Sequence, residues 1–184
     1  DWDKASVSTP DINYRFTRKE DTDTYHITQR FQTPLHPVLH VNARKEKIRS
    51  VKVNGVPATW QSIESAHGYP LLSIQAEGTS STTITIEWEG APLHTLAVQE
   101  PVITSNGKLA LQIPSGASIS QVYDPQSVLA NHTVEATAFN AQIKGEPGHH
   151  TFFVYTHQGE MDWWQPVNIY IENVRESPSR SEER

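Results

Sequence analysis

Ile48-Arg49-Ser50-Val51-Lys52-Val53-Asn54-Gly55 opens a pattern that the chain writes twice. After it come a polar connection, Leu72-x-Ile74, a turn at Gly78, Ile84-x-Ile86-x-Trp88 and Gly90. The second writing starts at Ile119-x-x-Val122-Tyr123-Asp124-Pro125. It continues through Phe139-x-x-x-Ile143, turns at Gly145 and Gly148, and Phe153-x-Tyr155, and closes at Gly159. A short strand, a tight turn, a longer connection and two further strands thus recur at nearly equal length. A fixed internal period of this size marks a repeated supersecondary unit. Within each copy apolar residues alternate with polar ones, the period of a strand with one face buried.

The rest of the chain agrees. Tyr14-x-Phe16 and Tyr25-x-Ile27 flank the polar turn Lys19-Glu20-Asp21-Thr22-Asp23 and read as a hairpin. Asn54-Gly55 supplies the positive φ angles of a type I′ hairpin turn. Leu71 to Gln75 and Thr82 to Trp88 read as a pair joined across Glu77 to Ser81. No window carries helical periodicity, so crossover helices are lacking and antiparallel pairing is expected. The predicted fold is all-β, two tandem Ig-like antiparallel β-sandwiches: residues 1–91, residues 92–174 after a joint at Gly90-Ala91-Pro92, and a charged Ser/Pro-rich tail or linker at 175–184. If the repeat is coincidental, a single sandwich with one continuous core is the alternative.

Composition narrows function more than it names it. A net charge of −6 argues against a nucleic-acid surface, which needs clustered Lys and Arg. Cysteine is absent, which removes disulfides, zinc–thiolate sites and Cys nucleophiles. No apolar run reaches the ~20 residues that span a bilayer. The chain begins at Asp1-Trp2-Asp3, as a mature or excised segment would. His36 and His40 are four apart, but Pro34 and Pro37 make that stretch extended, so helical zinc spacing does not apply. Neither a Gly-x-Ser-x-Gly elbow nor a Gly-rich phosphate loop occurs. No cofactor and no metal are expected.

The stretch nearest to a binding site is Asp162-Trp163-Trp164-Gln165. Adjacent strand residues point to opposite faces, so one Trp enters the core while the other faces out. An outward Trp with polar neighbours stacks on a sugar ring or on a partner's apolar patch. Packing of both indoles, inside the core and against a neighbouring module, is the competing interpretation. Trp60 and Trp88 are assigned to the core.

The run Ile48 to Gly55, with Thr82, Ile84, Ile86, Trp88 and Gly90, resembles the β-sandwich accessory modules of large secreted bacterial glycan-degrading proteins. Val122-Tyr123-Asp124-Pro125-Gln126, Gly148-His149-His150-Thr151-Phe152-Phe153 and Trp163-Trp164-x-Pro166-Val167 are similar to the Ig-like domains attached to such enzymes, some of which carry a six-hairpin (α/α) barrel. The resemblance spans residues 12 to 173 and carries over no catalytic residue. It implies a periplasmic or cell-surface location, a glycan-related parent protein and a polysaccharide or a catalytic domain of the same parent as partner. The expected function is a non-catalytic structural or docking module with carbohydrate contact through Trp163 or Trp164, Asp162 and Gln165. A small glycan-active hydrolase or lyase, and an adhesin or protein-interaction module, stand as rivals.

Overall fold

The computed structural model describes residues 3–94, 96 and 100–173. These form strands β1 (Lys4–Ser8), β2 (Ile12–Lys19), β3 (Thr22–Gln29), β4 (Val38–Asn42), β5 (Lys45–Val53), β6 (Val56–Pro57), β7 (Gln61–Ser62), β8 (Leu71–Gln75) and β9 (Ser81–Pro92). Seven more follow: β10 (Val102–Thr104), β11 (Lys108–Gln112), β12 (Ala117–Tyr123), β13 (Leu129–Val134), β14 (Ala138–Ile143), β15 (Gly148–Gln158) and β16 (Met161–Glu172). The chain is all-β and divides into two compact units, Asp1–His94 with Thr156–Trp164, and Thr95–Tyr155 with Gln165–Arg184. Each unit is a sandwich of two sheets with its own apolar core.

In the first unit a six-stranded sheet, β1-β2-β3-β9-β5-β6, is paired with the small sheet β4-β8-β7. The β2–β3 hairpin forms at the expected place, with Glu20 at φ 52° in its two-residue turn. Asn54 and Gly55 take φ 51° and 81° between β5 and β6, as a type I′ turn requires. Alternation then decides the interior. Ile84, Ile86 and Trp88 of β9 point inward to meet Leu72 and Ile74 of β8, together with Ile48 and Val51. Met161 and Trp163 complete this core.

One expected pairing is corrected. β8 and β9 are not partners: β8 pairs with β4 and β7, whereas β9 lies between β3 and β5. Residues 76–80 carry the chain from one sheet to the other, so both strands show the same alternating burial because they face one core from opposite sides. Gly78 sits where a Cβ would lie 2.7 Å from the Pro34 carbonyl oxygen, which explains a glycine in that crossing.

The second unit repeats the scheme with a four-stranded sheet, β10-β16-β15-β12, and a three-stranded one, β11-β14-β13. β12 and β15 are neighbours in one sheet and β14 belongs to the other, as β5 and β9 are neighbours and β8 is opposite. The repeat seen in the sequence is therefore a repeat of topology. Phe139, Ile143, Phe152, Val154, Ile169 and Ile171 lead its core. β10 pairs parallel to β16, Val102 opposite Tyr170, a departure from the antiparallel expectation. More than fifty residues separate these strands, so no short crossover helix is needed to bring them side by side.

The register of β15 differs from the sequence reading. Phe153 and Tyr155 were the positions matched to Ile84 and Ile86, but Phe152 and Val154 are the buried residues, and Phe153 and Tyr155 lie on the other face. The strand is apolar on both sides, so alternation alone could not choose between the two phases.

Candidate functional site

Two places present the ingredients of a binding surface, one in each unit.

In the second unit the inward residues of β15 and β16 fill the core and leave an outward row. Phe153 and Tyr155 come from β15; Pro166, Asn168 and Tyr170 come from β16. Tyr123, at the end of β12, is 58% exposed and stacks on Phe153 with ring centroids 6.2 Å apart. His149 meets the edge of Tyr170 at 4.9 Å and bonds Glu100 at 2.8 Å. Polar groups lie between these rings. Thr151 Oγ1 donates to Asn168 Oδ1 at 2.7 Å, and the Thr151 amide donates to Gln126 Oε1 at 2.7 Å. Apolar ring faces with fixed hydroxyl and amide groups nearby can stack on a sugar's C–H face while bonding its hydroxyls.

The four residues singled out in the sequence separate by alternation along β16. Met161, Trp163 and Gln165 are buried; Asp162 and Trp164 are half-buried on the opposite side. Trp163 is 1% exposed in the first unit's core, and its Nε1 has no hydrogen-bond partner. Gln165 is buried in the second unit, with its Nε2 donating to the Leu96 carbonyl at 3.2 Å. Asp162 meets His157 Nδ1 at 2.7 Å. The backbone of Trp164 is held on both sides, its amide donating to the Ala66 carbonyl at 2.9 Å and its carbonyl accepting from the Gly68 amide at 2.8 Å. The sequence thus brings two of its four candidates to the outward side.

The second place is a cleft of about 700 Å³ in the first unit, which the sequence reading missed. Arg18, Asn42, Arg44, Lys45, Tyr69 and Leu93 line it. Behind it Asp23 is 1% exposed and accepts from Arg18 Nε at 2.9 Å, Arg44 Nη1 at 3.1 Å and Trp88 Nε1 at 3.0 Å. Asp21 bonds Lys45 Nζ at 2.8 Å, and that bond holds its carboxyl below the usual range. Tyr25, buried beside Asp23, has its phenol pushed well up, first by desolvation and then by the Asp23 charge. The acids of the Lys19–Asp23 turn looked like a solvated loop in the sequence. Only the fold joins that turn to Arg44 and Lys45.

Among the described residues no group of three or more His, Cys, Asp and Glu side chains is arranged to hold a metal ion. No helix there is long and apolar enough to cross a membrane.

No family model matches the chain, and no curated protein matches it. Among solved structures it is similar to the tandem Ig repeats of Dlar, at 11% identity and a TM-score of 0.27, over 84% of this chain and 91% of that one. It is also similar to the N-terminal periplasmic domain of ScsB from Proteus mirabilis, at 7% identity and a TM-score of 0.26, over 90% of this chain and 97% of that one.

Proposed function

We propose that this chain is a non-catalytic β-sandwich module of a secreted glycan-processing protein, working in the periplasm or at the cell surface, where it binds polysaccharide and docks a catalytic domain of the same parent. The observation that carries this reading is the outward aromatic row of the second unit, with Tyr123 stacked on Phe153 and more than half exposed. The rings on that face, Tyr123, Phe153 and Tyr155, are not part of the second unit's apolar core. Flat rings beside hydroxyl and amide groups match a glycan chain lying along the sheet. The same reading gives Trp164 and Asp162 ligand-facing positions in the first unit. Trp163 and Gln165 then act by holding β16 in register from inside.

Affinity electrophoresis through gels containing cellulose derivatives, xylan, glycol chitin or pectin tests it. Retardation of the chain by at least one polysaccharide is expected, with most of it lost in Tyr123→Ala and part of it in Trp164→Ala. Migration unaffected by every polysaccharide, or retardation unchanged in both variants, would overturn the carbohydrate assignment.

The interaction-module rival draws on a different feature. Pro37, Val38, Val53, Val56, Pro57 and Ala58 form the apolar part of a groove of about 450 Å³ in the first unit, which His36, Asn54, Gln75 and Glu77 complete. A Val56→Asp variant that loses association with the parent's catalytic domain, while polysaccharide never retards the wild-type chain, would favour it.

A further inference from the structure

We propose that the cleft beside Tyr69 in the first unit is a separate binding site for a neutral saccharide, taking one or two sugar units of a soluble oligosaccharide rather than the surface of a polysaccharide. It shares no residue with the outward row of the second unit, so each site stands or falls without the other.

The walls of this cleft are fixed by the backbone. Asn42 ends β4 opposite Leu71, and the Ala43 amide donates to the Pro70 carbonyl at 2.9 Å. These contacts hold Tyr69 against the strand end that carries Asn42. Lys45 is paired with Pro92, and the Leu93 amide reaches the Arg44 carbonyl at 3.4 Å, so the opposite rim is tied to the same segment.

The polar groups are held in place before any ligand arrives. Arg18 is bonded to Asp23 through Nε at 2.9 Å and Nη2 at 3.5 Å, and its guanidinium lies 5.4 Å from the Phe16 ring centre. Arg44 is bonded to Asp23, to the Glu20 carbonyl at 3.0 Å and, more loosely, to Asp21 at 3.7 Å. A guanidinium has five N–H donors, so each Arg keeps donors beyond those spent on these partners. Donors locked by a buried carboxylate cost little entropy when a ligand engages them.

Charge selects the ligand class. Arg18, Arg44 and Lys45 line the cleft with Asp3 and are paired from behind with Asp21 and Asp23, so three carboxylates offset the three cations and weaken the pull on an anion. What remains is a set of oriented donors and acceptors beside a ring, Tyr69, that is 52% exposed. Hydroxyl groups pair with such fixed polar groups, and the C–H face of a pyranose packs on the phenol. The volume falls within the range of small-ligand sites, roughly 300–1,000 Å³.

The test is titration of the ¹⁵N-labelled full chain with cellotetraose, xylotetraose and chitotriose, with tetragalacturonate as the acidic counterpart, followed by amide shifts. A neutral oligosaccharide should move the amides of Asn42, Ala43, Arg44, Tyr69 and Leu93. Tyr69→Ala, at an exposed position, should fold as the wild type does and weaken that binding at least tenfold, and Asn42→Ala should weaken it less. Four outcomes overturn the proposal: silence of these amides toward all three neutral sugars at millimolar concentration, a response to tetragalacturonate alone, shifts that persist in Tyr69→Ala, or shifts confined to β12, β15 and β16. The last would leave the sheet-face reading intact. Shifts in the cleft without polysaccharide retardation would do the reverse.

Discussion

The first unit packs Trp88 and Trp163 among aliphatic side chains and buries a carboxylate, Asp23, against that core. The second stacks Phe139 on Phe152, centroids 5.5 Å apart, and its described core contains no charged side chain. Strands β5, β8 and β9 of the first unit and β12, β14 and β15 of the second are arranged alike, and that shared arrangement does not require the carboxylate. Its difference from the second unit is local. Asp23 fixes two arginines and an indole in one arrangement, at the cost of desolvating a charge, and that arrangement backs the Tyr69 cleft. The second unit buries no charged side chain among its described residues, Gln165 being its buried polar one, and its proposed sugar-binding row lies on the outside of a sheet. Buried charge here goes with a preorganised concave site, and an apolar core goes with a flat one.

The contrast can be broken most forcefully at Phe139. Its side chain is fully buried between Phe152 and the sheet β11-β14-β13, so Phe139→Ala should cost about 3–5 kcal/mol through lost transfer energy and the void left behind. Urea denaturation followed by far-UV circular dichroism measures this. A cost under about 1 kcal/mol would mean that the core closes over the void, and the second unit would not depend on apolar packing as described.

Asp23→Ala should follow at about 3 kcal/mol, the low end for breaking a buried pair, because Arg18 and Arg44 each keep some contact with water. Trp60, Trp88, Trp163 and Trp164 all belong to the first unit, so indole fluorescence follows that unit's transition. Asp23→Asn retains an acceptor for Trp88 Nε1 and should lose less. If Asn costs as much as Ala, charge outweighs geometry at this position. If neither moves the midpoint, the carboxylate is not what holds the cleft's arginines. The same two variants should weaken any oligosaccharide bound beside Tyr69, which links the stability comparison to the proposed site.

Much of this was readable without coordinates, for physical reasons that differ from place to place. The Asn54-Gly55 turn and the β2–β3 hairpin are specified by a few adjacent residues, so local chemistry suffices. At β16 the separation of Trp163 from Trp164 was legible because a strand sends adjacent residues to opposite faces, but which of the two lies inside was not. β15 was not, since Phe152-Phe153-Val154-Tyr155 is apolar in both phases and only packing across the sandwich selects which pair is inside. β8 and β9 were misread as partners because short spacing with a Gly between two strands describes a sheet-to-sheet crossing as well as a hairpin. Nor could local pattern show that Thr156–Trp164 packs with the first unit, or that the Asp21–Asp23 turn meets Arg44-Lys45. Those pairings join residues more than twenty positions apart, and no local pattern carries them.

The smallest expected effect sharpens the comparison through pH. Tyr25 is buried over the first unit's core, 5.1 Å from Phe16 and 6.3 Å from Tyr14 between ring centres. Burial, then the nearby Asp23 charge, raises its phenol above the ordinary value of 10.0, and burial raises Tyr14 as well. The folded state therefore favours the neutral phenol, whereas in the unfolded chain the same group ionises near 10. Its contribution to stability is complete below that value and declines as pH rises above it toward the raised folded value. Fluorescence-monitored denaturation between pH 9 and 11.5 should show the first unit's midpoint falling with pH. Tyr25→Phe should lessen the fall, and Tyr25→Phe with Tyr14→Phe should lessen it further. Equal slopes in wild type and both variants would place the alkaline weakness elsewhere and would remove Tyr25 from the set of groups that Asp23 organises.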